Sequence, residues 1–204
     1  MTQELNLLVI GPPCSGKSTQ SRRLADFYDL KHLSTGDLLL KNADMETPHG
    51  APSEYLHEGK LVPDPVVNEL INDELPPKDY VLDGYPRTET QAEFIIAKTE
   101  LTGCLHLTAP KNSLESRVAQ RRVCSKCGTS YDRAKGAKCP DCGGESYRRP
   151  DDSDQSFDRR HESYRTRIDA VMGIIERACP VVTVDAGGKR EDIWLKIRTE
   201  INKL

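Results

Sequence analysis

The sequence predicts an α/β fold in which a five-stranded parallel sheet is covered by helices on both faces. Two observations carry this prediction. Short apolar runs alternate with stretches of helical periodicity along the 204 residues, which is the pattern of repeated βαβ units. A glycine-rich loop at residues 11–19 directly follows the first apolar run. Parallel sheets of this kind bind ligands at the carboxyl ends of their strands.

The apolar runs and helical stripes predict the individual elements. Strands are expected at residues 5–10, 30–33, 80–82, 104–107 and 181–184. One helix is expected to begin near Lys111, and the last helix carries an apolar face. Between them, a stripe at spacings of three and four predicts a helix that carries Phe157, His161, Tyr164, Ile168, Val171 and Ile175. We interpret these stripes as core packing, His161 included.

Two segments interrupt the α/β alternation. Residues 44–54 are rich in Pro, Gly and His, and residues 122–150 are rich in Cys, Gly, Lys and Arg. Both are interpreted as insertions on the core, because neither continues the pattern of apolar strands and amphipathic helices.

Length, composition and charge restrict the class of protein. A chain of 204 residues with 36% hydrophobic residues suits one α/β domain with small insertions. The formal net charge is only −3, so neither a general nucleic-acid surface nor a membrane surface is expected. No apolar run approaches the ~20 residues of a membrane span, and the first residues do not read as a signal peptide. We therefore expect a cytoplasmic protein that binds neither nucleic acid nor membranes.

The glycine-rich loop matches the phosphate-binding pattern G-x-x-x-x-G-K-[S/T]. Its residues are Gly11, Pro12, Pro13, Cys14, Ser15, Gly16, Lys17, Ser18 and Thr19. Backbone N–H groups of such a loop and of the following helix bind phosphate oxygens. Lys17 can reach the β- and γ-phosphates, and Ser18 can hold Mg²⁺ through its hydroxyl. The loop therefore predicts binding of a nucleoside triphosphate with Mg²⁺.

Cys14 has two interpretations. It can be a spacer within the loop, which is the simpler one. A thiol near a helix N-terminus can also have a lowered pKa and react readily, so reactivity of Cys14 is a hypothesis.

Three further segments carry a family resemblance. Residues 33–39 read Leu-Ser-Thr-Gly-Asp-Leu-Leu, residues 59–64 read Gly-Lys-Leu-Val-Pro-Asp, and residues 83–88 read Asp-Gly-Tyr-Pro-Arg-Thr. Their order and spacing after the phosphate loop resemble the adenylate kinases of the nucleoside monophosphate kinase family over essentially the whole chain. The resemblance implies a P-loop kinase core of residues 1–34, 64–121 and 151–204. It also implies a small helical monophosphate-binding (NMP-binding) insertion at residues 35–63 and a mobile zinc-binding lid at residues 122–150.

The resemblance also implies roles for single residues on the acceptor side. Arg87 would grip the acceptor α-phosphate, Gln91 would read the acceptor base, and Thr35 would contact it from the other side. Asp83 would hold Mg²⁺ through water, with Asp37 supporting the region. A helix N-cap is the alternative interpretation of both carboxylates, and it competes more strongly for Asp37. The implied acceptor site comprises Thr35, Leu40, Lys60, Leu61, Val62, Gly84, Arg87, Gln91, Arg149 and Arg160.

Arginines continue the family pattern on both sides of the lid. Arg117 and Arg121 precede it, and Arg149 and Arg160 follow it around Asp151 and Asp152. The resemblance places the four arginines around the transferring phosphoryl group, with Arg117 and Arg121 also on the ATP side. Their guanidinium groups are always charged and can contact two oxygens at once. Together with Lys17, Asp83 and Arg87, the residues Arg121, Arg149 and Arg160 form the implied catalytic set.

The chain departs from the family pattern in two places. Position 40, where the family normally carries an arginine for the acceptor phosphate, is Leu40. Lys41 follows, but one helical step turns it by roughly 100°. Loss of a charged phosphate contact should cost on the order of 1.5–3 kcal/mol, which weakens the acceptor site or changes its preference. Cys14 and Ser18 also replace glycines that are usual in the family loop.

Four cysteines form two pairs with metal-binding spacing. Cys124 and Cys127 make the first C-x₂-C pair, and Cys139 and Cys142 the second, with eleven residues between the pairs. Four thiolates suit a closed, tetrahedral, structural Zn²⁺ site. The alternative is unpaired surface thiols or disulfides. Such a metal would stabilise a polar segment that lacks a core, and many members of the resembled family carry a zinc-bearing lid.

The function implied by the resemblance is reversible phosphoryl transfer from Mg-ATP to AMP, giving two ADP. We expect a monomer with ATP and a nucleoside monophosphate as its ligands. Three alternatives remain. The chain could phosphorylate another monophosphate such as UMP or CMP, because of Leu40 and an acceptor pocket that includes His57. It could be a nucleotide-binding regulatory paralogue with little turnover. It could also be a zinc-ribbon nucleic-acid binder that uses Lys126, Arg133, Lys135 and Lys138.

Overall fold

The computed structural model describes residues 4–149 and 152–204, and the elements below lie within them. The strands are β1 Asn6–Ile10, β2 Lys31–Ser34, β3 Tyr80–Asp83, β4 Gly103–Thr108, β5 Arg121–Cys124, β6 Ser130–Asp132, β7 Ser146–Tyr147 and β8 Val181–Asp185. The α-helices are α1 Lys17–Tyr28, α2 Thr35–Lys41, α3 Pro52–His57, α4 Asp64–Glu74, α5 Glu89–Lys98, α6 Lys111–Gln120, α7 Asp154–Arg165, α8 Ile168–Ile175 and α9 Arg190–Ile201. A short 3₁₀ turn spans Arg133–Lys135.

The five predicted strands form one parallel sheet in the order β2-β3-β1-β4-β8. The α/β class with a five-stranded parallel sheet is thus confirmed, and each strand begins and ends within two residues of its expected position. The register pairs Val9 with Asp83, and Ser34 with Asp83. The carboxyl ends of β1, β2 and β3 therefore meet at one edge. The phosphate loop, the start of α2 and the turn after β3 all leave the sheet from that edge.

Both faces of the sheet are buried, as the alternation along β1 requires. Leu8 and Ile10 point into one apolar cluster, whereas Leu7 and Val9 point into another. Helices α4, α5 and α8 cover the first face, and α1 and α9 cover the second. Strand side chains alternate between faces, so this five-residue strand, all of it buried, anchors two cores at once. Because β1 is packed on both faces, it holds the loop that follows it in place.

The predicted single helix from Phe157 to Ile175 is wrong in one respect, because it is broken into α7 and α8. The break falls at Thr166 and Arg167, whose side chains hydrogen-bond to the carbonyls of Glu162 and Ser163. Such local bonds compete with helix continuation. The expected packing is confirmed, since His161 stacks on the Phe157 ring at 5.8 Å between centroids. Of the helices in the described residues, none combines the length and apolar character that a membrane crossing needs.

The two interrupting segments have different structures. Helices α2 and α3 lie between β2 and α4. Residues after α6 form a second, antiparallel sheet in the order β6-β5-β7. Its buried cluster consists of Cys124, Tyr131 and Cys139 alone, so this small sheet has almost no apolar core.

Candidate active site

The phosphate loop leaves β1 and runs directly into α1. Gly11 lies against β4, because a Cβ at this position would be 2.6 Å from the carbonyl oxygen of Leu107. Gly16 caps α1 with φ at +93° and offers no side-chain hydrogen bond to the helix. The first N–H groups of α1 are therefore not capped by a side chain. Those donors and the positive end of the helix dipole suit a phosphate group.

Cys14 adopts a backbone conformation that favours glycine. Its φ is +63°, in the left-handed region where a Cβ is strained. The side chain packs against the cluster of Leu114, Val118 and Phe157, and its carbonyl accepts a hydrogen bond from Arg117 at 3.5 Å. Packing thus gives Cys14 a structural role. Its chemical reactivity stays a hypothesis.

Lys17 and Asp83 form the charged centre of the site. Lys17 Nζ donates to the carbonyl of Pro12 at 2.7 Å. Burial lowers the pKa of Lys17 to about 8, although the charge of Asp83 partly opposes this shift. Burial acts to raise the pKa of Asp83, but His32, Lys17 and Ser18 outweigh it and hold that pKa below its ordinary value. Asp83 is therefore an ionised carboxylate next to the phosphate loop.

The same carboxylate fits the magnesium role that the sequence implies. Asp83 is buried, and among the described residues its Oδ2 has no hydrogen-bond partner. His32 Nε2 lies 3.5 Å away, which is too long for a good hydrogen bond. A buried carboxylate oxygen that accepts no hydrogen bond among the described residues suits a hydrated Mg²⁺, which takes oxygen ligands and keeps several of its waters.

Five of the predicted arginines line a single cleft of about 590 Å³ together with the phosphate loop. The five are Arg87, Arg117, Arg121, Arg149 and Arg160. Contacts with the backbone or with acidic groups hold several of them in place. Arg87 Nε donates to Gly84 O at 2.7 Å, and Arg117 donates to Ala186 O. The predicted arginine cluster is thus brought together in space, from α6, from the segment before α7 and from three other elements.

Asp152 was given no role from the sequence, yet it organises two of these arginines. Its side chain is fully buried and accepts a two-pronged hydrogen bond from Arg121. Arg160 Nη2 lies 3.6 Å from the same carboxylate. The acidic pair at 151–152, between arginines on either side, was the available signal. Its other member, Asp151, lies outside the described residues.

Three of the other predicted acceptor residues, Thr35, Val62 and Gln91, do not line the cleft. Thr35 is buried and donates to the carbonyl of Asp83 at 3.1 Å. Gln91 accepts from Arg87 N at 2.8 Å and donates to Asp64 Oδ1 at 2.7 Å. Val62 is buried in the first apolar cluster, whereas Lys60, Leu61 and Gly84 line the cleft. The side chain of Gln91 thus joins the turn after β3 to α4, and its contact with an acceptor base stays a prediction.

Leu40 presents an apolar side chain to the cleft. It lines the cavity and is 46% exposed. Lys41 is exposed but does not line the cavity, as the roughly 100° turn per residue suggested. His57 is exposed at the end of α3, and it too lies outside the lining. Position 40 therefore carries no cation for an acceptor phosphate, and neither neighbour replaces it.

The four lid cysteines converge on one point. Their Sγ atoms lie within 4.8 Å of one another, with Cys127 Sγ 3.4 Å from Cys142 Sγ and 3.6 Å from Cys139 Sγ. Ligands about 2.3 Å from a tetrahedral zinc are separated by roughly 3.8 Å. The four thiols therefore fit the predicted structural zinc site.

The cleft is completed by residues from the end of the sheet that the sequence prediction missed. Gly188 and Arg190, at the start of α9, line it. Arg190 Nη2 donates to the carbonyl of Ser130 in β6 at 3.2 Å, which joins the lid to the core. A Gly-Gly-Lys-Arg run at residues 187–190, two residues after the last predicted strand, was the signal for this part of the site.

Comparison with known proteins identifies one family. A family model described as adenylate kinase matches residues 9–178. The chain is 35% identical to the adenylate kinase of Haloarcula marismortui, with 96% of each chain covered. It is 34% identical to that of Halobacterium salinarum, with 97% of each covered. It is 33% identical to that of Pyrococcus abyssi, with 95% of this chain and 94% of the relative covered.

Proposed function

The chain belongs to the adenylate kinase family, and on that premise we propose that it transfers the γ-phosphoryl group of Mg-ATP reversibly to AMP, giving two ADP. Members of this family are phosphotransferases. One observation supports the proposal above the others: Lys17 and five arginines from separate elements line the same cleft as the phosphate loop. A site that binds a single triphosphate has no need of so many converging cations.

The donor half of the proposed reaction uses the loop and the start of α1. The loop amides and Lys17 hold the β- and γ-phosphates, while Arg117 lies beside the loop through its bonds to the carbonyls of Cys14 and Ser15. Ser18 and, through water, Asp83 would hold Mg²⁺, which would neutralise charge on the phosphate oxygens. A phosphate that accepts a hydrogen bond from Lys17 would favour the charged form of the Lys17 side chain.

The acceptor half relies on Arg87, which the turn after β3 delivers to the cleft. Arg121, Arg149 and Arg160 line the region between the two nucleotides in this proposal. In-line phosphoryl transfer needs aligned phosphates and neutralised equatorial oxygens rather than a protein nucleophile. Asp152 holds Arg121 and Arg160 in fixed positions, so little reorganisation is needed when the charge shifts between the nucleotides.

We also propose that the lid carries a structural Zn²⁺ on Cys124, Cys127, Cys139 and Cys142. The geometry of the four thiols supports this assignment. A rigid lid would exclude water from the cleft, and water would otherwise compete with AMP as acceptor. Hydrolysis of ATP without AMP should therefore increase when the metal is removed.

The remaining assignments are also proposals. They comprise the core, insertion and lid boundaries given above, the full sets of ATP and AMP contacts, a monomeric state and a cytoplasmic location. The zinc thiolates support the last point, because such thiols persist in a reducing compartment.

Leu40 favours one alternative acceptor class. Because position 40 offers no cation to the acceptor phosphate, a related monophosphate such as UMP or CMP could be preferred if its base makes better contacts. The regulatory paralogue and the zinc-ribbon nucleic-acid binder predict little or no turnover with any monophosphate. The nucleic-acid reading also predicts binding that survives moderate salt.

A coupled assay of ATP with AMP, UMP, CMP and GMP distinguishes these readings. The proposal expects the highest kcat/KM with AMP, dependence on Mg²⁺, and formation of two ADP for each ATP and AMP consumed. The Arg121→Ala variant should lose at least about 10²-fold in kcat if Arg121 neutralises the transferring group. Preference for a pyrimidine monophosphate would replace the proposal with the alternative acceptor, and absence of turnover with all four would refute both.

A further inference from the structure

Arg22 belongs to none of the motifs discussed so far, although it lines the cleft. It lies in the second turn of α1, next to Arg23. Consecutive helical residues point about 100° apart, and the two arginines differ accordingly. Arg23 turns to α9, where it donates to both carboxylate oxygens of Glu191 at 2.7 Å. Arg22 turns to the cleft, where two segments outside the sheet meet it.

The first of these segments is the start of α2. Arg22 Nη2 lies 3.6 Å from Asp37 Oδ2. Asp37 lies in the first turn of α2, and its backbone N–H donates to the N-cap hydroxyl of Ser34 at 3.2 Å. A movement of the proposed acceptor insertion must therefore move the carboxylate that faces Arg22. Both side chains are partly exposed, 32% for Arg22 and 57% for Asp37, so this ion pair is adjustable rather than fixed.

The second segment is the first cysteine knuckle of the lid. A Cβ on Gly128 would lie 3.0 Å from Arg22 Nη2 and 3.7 Å from its Cζ, so the guanidinium group lies against the backbone of Gly128. The knuckle is fixed relative to the thiols, because Gly128 N donates to Cys124 O at 3.0 Å. The φ of Gly128, +69°, and the close guanidinium group of Arg22 both disfavour any side chain at position 128. Arg22 therefore contacts the lid at a point that cannot shift independently of the metal site.

We propose that Arg22 is a positioning residue that couples binding of the acceptor nucleotide to closure of the lid over the donor. One guanidinium group on α1 contacts both segments that lie outside the central sheet. When the acceptor insertion closes and brings Asp37 towards α1, Arg22 is held in the orientation that also receives Gly128. The lid then closes at a lower entropic cost, so each nucleotide favours the other. This inference rests on the proposed function, because it assumes separate acceptor and donor sites.

The coupling is measurable without turnover. Calorimetry gives the affinity of the full chain for Mg²⁺ and β,γ-methylene ATP, with and without saturating AMP. An exposed ion pair changes an equilibrium by at most about fivefold, so the wild type should bind the analogue about two- to fivefold more tightly when AMP is present. Reciprocity requires the same factor for AMP in the presence of the analogue. The factor should approach one at ~1 M salt, where exposed charges are screened.

Two variants and one control test the role of Arg22. In Arg22→Ala the factor should fall to about one, while each nucleotide alone still binds. Asp37→Asn should also lower the coupling factor to about one, and the double variant should show no further loss of coupling. Arg23→Ala is the matched control, since it removes the same charge from the next position of the same helix and should keep the wild-type factor. Thermal unfolding of every variant checks that the fold is intact.

The outcomes separate the two proposals. Loss of coupling in Arg22→Ala, with coupling retained in Arg23→Ala, supports the inference. A wild-type factor in Arg22→Ala, equal losses in both arginine variants, or no coupling in an active wild-type enzyme would overturn the inference and leave the proposed function standing. Failure of the wild type to bind or phosphorylate AMP would overturn the proposed function, and the inference with it.

Discussion

At the residue scale, Lys17 shows that a residue suited to phosphate binding can lower the stability of the folded protein. The Lys17 side chain is half-buried in the cleft, and this burial lowers its pKa from 10.5 to about 8. Below pH 8 the folded protein carries this charge at a partly desolvated position, whereas the unfolded chain keeps it fully hydrated. Between pH 8 and 10.5 the folded state binds fewer protons than the unfolded state, so the stability contribution of Lys17 rises with pH in this interval.

The first prediction follows from this increase of stability with pH. Lys17→Met should be more stable than the wild type at pH 7 without nucleotide, because it removes the buried charge. Its advantage should shrink as the pH rises through 8 and disappear near 10.5. Calorimetric unfolding of both proteins at several pH values measures the difference, and a constant difference would contradict the assignment. The same variant should lose on the order of 10²–10³-fold in kcat, because it removes a cation from the transferring phosphate.

A second prediction concerns the strained backbone at Cys14. Cys14→Ala and Cys14→Gly both delete the thiol that packs against Leu114, Val118 and Phe157. Only the alanine keeps a Cβ at a φ of +63°, which costs about 1–2 kcal/mol. We therefore expect Cys14→Gly to be the more stable of the two by about 1 kcal/mol, despite the entropy of glycine. Urea unfolding measures this ordering. The reverse order would show that thiol packing and loop entropy, not the Cβ, dominate at this position.

Leu40 carries the third prediction. Leu40→Arg should lower the KM for AMP by about tenfold, which is the lower end expected for a charged phosphate contact because the position is half exposed. The KM for ATP should change little. Asn42→Arg is the matched control, since it adds the same charge two positions away, outside the cleft lining. Equal effects of both variants on the KM for AMP would point to the general electrostatic field rather than a direct contact.

At the scale of elements, the lid is the part that cannot support itself. Its strands have two to four residues, and two of the three side chains in its buried cluster belong to proposed metal ligands. Short antiparallel strands without an apolar face are not stable alone in water. Contacts with Arg22 and Arg190 attach the lid to the core, but they cannot replace an interior. The proposed Zn²⁺ would therefore stabilise this segment in the way that an apolar core stabilises others.

The fourth prediction tests that statement by metal removal. The purified protein should contain about one zinc per chain, and a strong chelator should lower its Tm by several degrees. Cys142→Ser should lack stoichiometric zinc and should show no further decrease in Tm with the chelator. Elemental analysis and thermal scanning measure both effects. Zinc-free wild-type protein with an unchanged Tm would rule out a structural metal in the lid.

The whole molecule shows which features a sequence can reveal. The five strands were predictable because each is a short apolar run between helical patterns, and the phosphate loop because its glycines and Lys17 act locally. The break between α7 and α8 depended on side-chain hydrogen bonds of Thr166 and Arg167, which compete with continuation of the helix. The engagement of Gln91 with Asp64 depended on folding that brings residues 27 positions apart together. Periodicity does not report such choices of partner, and the acceptor contacts predicted for Gln91 and Thr35 stay predictions.

The central place of β1 in the sheet has a consequence for synthesis on the ribosome. Its two neighbours are β3 and β4, which begin at residues 80 and 103. At roughly 5–20 residues per second, several seconds pass between translation of β1 and that of either neighbour. During this interval both hydrogen-bonding edges of the most apolar strand have no partner in the sheet, and exposed edges of this kind favour aggregation. Binding of a nucleotide cannot stabilise β1 during this interval. The phosphate loop at residues 11–19 lies against β4, which has not yet been synthesised.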